Sequence, residues 1–410
     1  MTTTDVITPS QSGSTEQRTD LSSADHGGLA ICAAALRDLL AEQAPRCDAN
    51  RRLPQETVAA LREAGLLRLF TPARWGGHQI GLRTYLDVIT ELGRGCCSTA
   101  WVTGVLNAGN LIVGAFPEAA QAEVWSANPD ATTAFFLGRP TAPEEHTADG
   151  VVLTGRWPYF SGSLHSDWMA VLVLGAGARS EPGPHVALIP ATQLQIEDTW
   201  FISGMRGTGS NTVTAERVYV PEHRLLPFEC FVEGSPGGAD GPWRRKGLAG
   251  LSVGLLGALI GGVDAALEHV LTSSAGRPVA ATTYPNHAAS PSFRLDLAEA
   301  ATRLDTAKLH ARRIAQSADE LAATRVEPSA RDRTRSRMDA AHVARNCREA
   351  IDLLMTAHGS SAFAEASPLQ RIWRDVHVGS RHAAFGMGIP QQVYGSALVE
   401  DDPRRISFLD

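Results

Sequence analysis

The chain has 410 residues, of which 43% are hydrophobic and 20% are charged, so it is long enough for two or three packed units of an ordinary globular protein. Its formal net charge of −7 argues against nucleic acid or an anionic membrane as the main partner. The six cysteines form no CxxC pair followed by a second Cys or His pair. We therefore expect no metal site and interpret the cysteines as reduced thiols of a cytoplasmic protein.

The first half of the chain changes its periodicity once. Residues 1–28 are rich in Ser, Thr, Asp and Gln and lack the apolar core of a signal peptide, which predicts a disordered tail. Residues 29–130 carry apolar side chains at three-to-four spacing, which predicts a helical domain. From 131 to 243 the period moves toward 2, and about six short segments are separated by Pro, Gly and Asp turns. This pattern predicts a small antiparallel β barrel or sandwich.

The last part of the chain, residues 244–410, is helical again. Gly and Pro residues separate the segments, and such long helices with short connections are typical of a four-helix bundle. The predicted helices span residues 247–273, 291–323, 332–358, 369–384 and 388–398. The fold class is thus mainly α with a central β domain.

Two stretches in the β region carry groups suited to a planar ligand. Tyr159, Phe160 and Ser161 offer an apolar wall beside one hydroxyl, which suits a heterocycle such as isoalloxazine. The alternative is a β-turn whose aromatic rings belong to the core. The loop Gly204-Met-Arg-Gly-Thr-Gly-Ser-Asn211 is interpreted as flexible and offers Arg206, Thr208, Ser210 and backbone amides to a phosphate or a flavin edge. The alternative is a solvated loop between strands.

Histidines supply the candidate proton-transfer groups. Asp375 and His382 are seven residues apart on one predicted helix and so share a face. A histidine there can exchange protons or donate to a developing peroxide, and the alternative is a polar face paired by charge. His165 is equally suited to a site role or to a structural hydrogen bond.

Four motifs together resemble the acyl-CoA dehydrogenase superfamily and, within it, the oxygenase components of two-component flavin monooxygenases. The resemblance covers roughly residues 30–400. In chain order the motifs are Ser98-Thr-Ala-Trp101, Trp157-Pro-Tyr-Phe-Ser-Gly162, Gly204-Met-Arg-Gly-Thr-Gly-Ser210 with Val218-Tyr-Val-Pro-Glu-His-Arg224, and Leu369-Gln-Arg-Ile-Trp-Arg-Asp375.

The resemblance implies an N-terminal helical domain, a middle β barrel and a C-terminal four-helix bundle that assemble as a homotetramer. It implies that reduced flavin, FMNH2 or FADH2, lies between the β domain and the bundle and is supplied by a separate reductase. By position, Trp101 and Ser161 look like flavin neighbours, with Ser161 near N5. Arg206, Thr208 and Ser210 look like the loop beside the flavin, and His382 looks like the active-site histidine of the hydroxylases.

Three departures from the family pattern bear on the reaction. The catalytic Glu of many dehydrogenases falls at Ala383, where no carboxylate is present. The segment after Arg277 lacks the Phe-Gly that often accompanies FAD diphosphate binding. Gly109 occupies the position where related phenol hydroxylases carry a His, and Asn107 and Asn110 flank it as expected substrate-binding residues.

The resulting hypothesis is a monooxygenase that uses reduced flavin and O2, through a C4a-(hydro)peroxyflavin, to hydroxylate an aromatic or polycyclic small molecule in secondary metabolism or aromatic catabolism. The expected catalytic residues are His382, Ser161 and His165. Three alternatives stay open at this point. One is an N-oxygenase acting on an amino group such as that of a nucleotide-linked amino sugar. The others are an acyl-CoA dehydrogenase-like enzyme and a non-catalytic flavin-binding or scaffold protein.

Overall fold

The computed structural model describes residues 26–175, 183–233, 247–324, 328–386 and 388–407. The predicted disordered tail lies almost entirely outside these ranges, and the first helix begins at His26. From residue 26 onward, where the description begins, six helices precede the first strand: α1 (His26–Ala35), α2 (Arg37–Asn50), α3 (Gln55–Glu63), α4 (Leu82–Gly95), α5 (Cys97–Val113) and α6 (Glu118–Trp125).

Two of these helices form the centre of the N-terminal part. Helix α4 is amphipathic, and its buried residues Tyr85, Leu86, Ile89 and Leu92 recur at three-to-four spacing on one face. Every residue of α5 is buried, as expected for a helix that is largely apolar on all sides. This burial fixes the position of α5 between the other elements.

In the residues that the structure describes, the β region contains two four-stranded sheets, and one strand pair is parallel where only antiparallel pairs are expected. Their orders are β1-β4-β5-β8 and β2-β3-β7-β6, and β1 pairs with β4 in parallel. Period-2 alternation predicts strands but not their partners, which is why the parallel pair was not predicted. The strands are β1 (Thr133–Thr141), β2 (Glu145–His146), β3 (Gly150–Phe160), β4 (Trp168–Leu174), β5 (Pro184–Pro190), β6 (Gln195–Glu197), β7 (Asn211–Pro221) and β8 (Leu225–Pro227).

The C-terminal part is built on three long helices that pack on one another, with a shorter fourth helix against two of them. One segment of the first long helix, Leu251–Ser274, is apolar and long enough to cross a membrane, but 67% of its most apolar window is buried inside the protein. The helices are α7 (Phe228–Glu233), α8 (Gly247–Ser274), α9 (Pro291–Ala323), α10 (Ala330–His358), α11 (Pro368–Gly379) and α12 (Ile389–Leu398).

Helix α11 ends five residues before the predicted boundary. It stops at Gly379, and His382 lies in the following turn, where its N–H donates to the Gly379 carbonyl over 3.0 Å. A Cβ at Gly379 would lie 3.1 Å from the Trp101 ring, so close packing accounts for a glycine here. The expectation that Asp375 and His382 share one helical face is therefore wrong.

The β region is attached to α11 by the backbone of Gly204 and Met205. A Cβ on Gly204 would lie 2.1 Å from the carbonyl oxygen of Arg374. The Met205 N–H donates to the buried carboxylate of Asp375 over 2.5 Å. Only a glycine at 204 allows the two backbones to come this close, and the close approach brings the Met205 N–H within hydrogen-bond distance of Asp375.

We predict that Gly204→Ala lowers the free energy of unfolding by about 1–3 kcal/mol, because its methyl group must displace the α11 backbone. Thermal unfolding followed by circular dichroism measures the change. Gly276→Ala is the matched control, since a Cβ there meets no atom within 4 Å. Equal melting temperatures for the two variants would contradict the close approach.

A second attachment joins the β region to the N-terminal helices. Nε2 of His165 accepts a hydrogen bond from the Leu53 backbone N–H over 3.2 Å. Burial, followed by the charge of Arg52, lowers the pKa of His165 to about 4. The imidazole is thus neutral near pH 7, as an acceptor must be.

This contact predicts a specific acid sensitivity. An unfolded-chain histidine titrates near pH ~6.5, whereas the folded one titrates near 4. The unfolded state binds more protons between these values, so the stability contributed by neutral His165 is complete above pH ~6.5 and is lost as the pH falls toward 4.

We predict that lowering the pH from about 7.5 to 4.5 reduces the melting temperature of His165→Gln less than that of the wild type. The Gln side-chain oxygen can accept the hydrogen bond from the Leu53 N–H, and it does not titrate. Differential scanning calorimetry at both pH values tests this. The control is His146→Gln, at an exposed position. If His165→Gln and the wild type lose stability in parallel, His165 does not titrate as described.

Candidate functional site

Trp101, Met205 and His382 approach one another where α5, the 204–210 loop and the end of α11 meet. The Trp101 and His382 rings are 5.6 Å apart in an edge-to-face arrangement. A Cβ on Gly379 would lie 2.8 Å from the Met205 methyl group and 3.1 Å from the Trp101 ring. Three segments distant in sequence are therefore in direct contact at this point.

A chain of hydroxyl groups lies on the β side of this point. The Oγ atoms of Ser161 and Ser210 are 2.6 Å apart, and Ser210 Oγ is 2.7 Å from Thr208 Oγ1. Thr208 Oγ1 in turn donates to the Met205 carbonyl over 2.8 Å. Ser210 and Thr208 are buried, whereas Ser161 retains some exposed surface. Ser161 is thus the end of the chain that a ligand can reach. Its neighbour Gly162 packs against the side chains of Leu106 and Val102 on α5.

His382 combines an exposed surface with a desolvated imidazole. Its side chain is accessible to solvent, yet burial lowers its pKa to about 4. Both observations hold if the ring lines a concave surface, because protein then surrounds the ring while one face stays open. Its Nδ1 accepts the Ala384 N–H over 3.2 Å, so in the neutral ring Nε2 carries the proton and can donate.

Tyr159 and Phe160, although adjacent, have opposite environments. Tyr159 is 68% exposed, has a left-handed backbone with φ of 59°, and contacts the Trp200 ring edge-on. A large exposed ring held in a strained conformation is typical of a ligand-contact position. Phe160 is fully buried and stacks on Phe136, so its ring belongs to the β-region core.

The 204–210 loop is buried, so the interpretation of a flexible or solvated loop is wrong. A Cβ on Gly207 would lie 2.1 Å from Cys47 Sγ on α2. The Arg206 guanidinium donates to the carbonyls of Asp48 and Ile202 over 3.0 and 3.1 Å. Arg206 therefore fixes the loop to α2, while Thr208 and Ser210 supply two of the three hydroxyls of the chain.

Asn107, Gly109 and Asn110 are fully buried and contribute to folding contacts. Asn107 accepts from the Leu69 N–H over 2.8 Å and donates to the Leu66 carbonyl over 2.8 Å. Asn110 donates to the Leu67 and Ala131 carbonyls. A Cβ on Gly109 would lie 1.7 Å from a strand carbonyl. These contacts place the three residues in the packing of α5 against residues 66–71 and 131–133.

His165 does not join Trp101, Ser161 and His382 at the site, because its Nε2 accepts the Leu53 N–H.

Three residues outside the predicted site set contribute to the site: Met205, Asp375 and Gly379. Burial raises the pKa of Asp375 to about 7, while its hydrogen bond from Met205 opposes that shift. Asp375 could have been found from the sequence, because it ends the Leu369–Asp375 motif. Met205 lies within the Gly204–Ser210 motif, which marked the stretch but not this residue, and nothing in the local sequence marks Gly379.

Comparison with known proteins agrees with the motif resemblance. The family model for the acyl-CoA dehydrogenase N-terminal domain matches residues 31–127, and that for the C-terminal domain matches residues 253–387. Together the two matches span more than half of the chain.

Relatives of known activity match over almost their whole length. The oxygenase component of FADH2-dependent resorcinol hydroxylase from Rhizobium sp. strain MTP-10005 is 30% identical, with 90% of this chain and 94% of the relative covered. The oxygenase subunit HsaA of a flavin-dependent monooxygenase from Mycobacterium tuberculosis is 32% identical, with 86% and 91% covered.

A solved structure extends the similarity to the fold. XiaF from Streptomyces sp., in complex with FADH2 and glycerol, superimposes with a TM-score of 0.87 at 32% identity, with 92% of this chain and 96% of that chain covered. The family predicted from the motifs is confirmed. The chain belongs to the acyl-CoA dehydrogenase family and, within it, to the oxygenase components of two-component flavin-dependent monooxygenases.

Proposed function

We propose that this oxygenase binds reduced FMN or FAD against Trp101, Ser161 and His382 and hydroxylates an aromatic or polycyclic small molecule. The observation that carries the proposal is that the Trp101–His382 ring contact and the reachable end of a hydroxyl chain at Ser161 both lie beside the same helix, α5. Flat aromatic groups beside a few directed polar atoms fit an isoalloxazine ring.

Reduced flavin, when bound, supplies the electrons that activate O2. The protein supplies geometry and shielding. His382 presents an Nε2–H donor, since its Nδ1 accepts the Ala384 N–H. Trp101 forms one apolar wall, and Tyr159 offers an exposed ring on the β side. Buried Trp101 limits the access of water to a reacting atom beside it, which favours oxygen transfer to substrate over release of H2O2.

The side chains around this site disfavour α-proton abstraction. Ala383 occupies the expected position of a dehydrogenase carboxylate. Asp375, the nearest acid of the motif, accepts the Met205 N–H and is buried. We therefore infer oxygenation and not acyl thioester oxidation. Oxygenation of carbon is preferred over nitrogen, because the relatives carry names of aromatic hydroxylases.

The assembly we propose follows the family pattern. It comprises a helical domain at 29–130, a β domain at 131–243 and a helical domain at 244–410. The family pattern adds a barrel for the β domain and a four-helix bundle for the last domain. Four copies form a cytoplasmic homotetramer served by a separate reductase. Tyr159 and Phe201 support this assembly, since both rings are about 70% exposed in the single chain and a neighbouring copy could cover them.

Mixing the protein anaerobically with reduced FMN or FAD, and then with O2, tests the proposed chemistry. Stopped-flow absorbance is expected to show a long-lived band at roughly 370–390 nm before the oxidised flavin spectrum appears. The same mixture without protein is the control. Conversion to oxidised flavin at the rate of free flavin would count against an oxygenase.

We predict that His382→Ala reduces product formed per flavin oxidised by about 10–100-fold, with matching H2O2 release, because the Nε2–H donor is lost. Peroxide and product are quantified in single turnovers. His377→Ala is the matched control, since it removes a histidine of α11 that pairs with Asp352. Coupling that survives in His382→Ala would remove His382 from the site.

A further inference from the structure

The hydroxyl chain that ends at Ser161 has a fixed direction. Its far end is the Met205 carbonyl, which can only accept, so the Thr208 O–H must point toward it over their 2.8 Å contact. Thr208 has one proton. The 2.7 Å contact between Thr208 and Ser210 therefore uses the proton of Ser210.

The same count extends to Ser161. Its 2.6 Å contact with Ser210 needs a proton, and that of Ser210 is already directed at Thr208. Ser161 must donate to Ser210. On its open side, Ser161 Oγ then has lone pairs and no proton, so it acts as an acceptor only.

Other contacts hold this direction. The Trp200 indole N–H donates to the same Met205 carbonyl over 2.9 Å, and the Asp375 carboxylate holds the Met205 N–H. Gly162 donates its N–H to the Thr208 carbonyl over 3.2 Å, which joins the turn of Ser161 to the loop of Thr208. Thr208 and Ser210 are only 1% and 4% exposed, which leaves water little access to reverse the chain.

A one-way acceptor distinguishes the two redox forms of a flavin. Reduced isoalloxazine carries a proton on N5 and donates, whereas oxidised N5 has only a lone pair. Ser161 Oγ would accept a hydrogen bond from the N5–H of reduced flavin and would repel the N5 lone pair of oxidised flavin. We propose that Thr208 and Ser210 are specificity-determining residues that make the site select reduced over oxidised flavin. The inference rests on the proposed function, in which Ser161 faces N5.

The measurement is the ratio of the dissociation constants, Kd, for FAD and FADH2, with FMN and FMNH2 as a second pair. Oxidised flavin is titrated in air and reduced flavin anaerobically, both by ultrafiltration. In Thr208→Val and Ser210→Ala the ratio is expected to fall about tenfold, because Ser161 becomes free to turn its proton to N5. For a two-electron couple this shifts the midpoint potential of bound flavin by about 30 mV toward negative values.

Three further variants make the result specific. Thr208→Ser keeps the hydroxyl and should keep the wild-type ratio. Thr212→Val removes another buried hydroxyl, whose Oγ1 lies 2.8 Å from Thr199 Oγ1, and should leave the ratio unchanged. Ser161→Ala should weaken the binding of reduced flavin and should not strengthen the binding of oxidised flavin. Thr208→Val, in contrast, should strengthen the binding of oxidised flavin.

The outcomes separate this inference from the proposed function. If the wild type prefers FADH2 and Thr208→Val keeps that preference within twofold, the hydroxyl chain does not set it and the inference is overturned. If Ser161→Ala also leaves both constants unchanged, Ser161 does not face N5. If the wild type binds neither flavin form, the proposed function itself fails.

Discussion

The attachment of the Gly204–Met205 backbone to α11 is the contact on which the rest of the site depends. Gly204 leaves room for the Arg374 carbonyl, and Asp375 accepts the Met205 N–H. This fixes the Met205 carbonyl, which directs Thr208 and through it the hydroxyl chain. It also holds the end of α11, and therefore His382, beside Trp101. A site made from three distant segments needs one such rigid junction, because positioning errors in each segment would otherwise add.

Burial gives the polar groups of this junction their chemical character. Desolvation keeps His382 neutral near pH 7 and raises the pKa of Asp375 to about 7. The neutral His382 ring and the hydroxyls of Thr208 and Ser210 have hydrogen-bond partners, so they cost less to bury than charges. The site therefore differs from an acid–base pair that is built around a free carboxylate. Its polar atoms orient a ligand and place single protons.

The sequence predicted much of the fold and the family, but only part of the site. Long helices such as α9 follow from apolar periodicity, and four ordered motifs identified the flavin oxygenases. The sequence could not show that α11 stops at Gly379, because that end depends on packing against Trp101. It also could not show that Asn107 bonds the 66–69 backbone, since an amide beside a motif looks the same whether it contacts a ligand or a loop.

The same limit explains why Thr208 and Ser210 were identified by type but not by role. A Gly-Thr-Gly-Ser stretch suggests donors for a phosphate, because free hydroxyls and amides can donate. In the fold, each hydroxyl has its one proton committed toward Met205, so the chain offers a ligand an acceptor instead. Proton direction depends on the terminal acceptor, and that acceptor is a backbone carbonyl whose position only the tertiary structure fixes. Redox selectivity in such a site would thus be encoded in the junction with α11 as much as in the residues that touch the flavin.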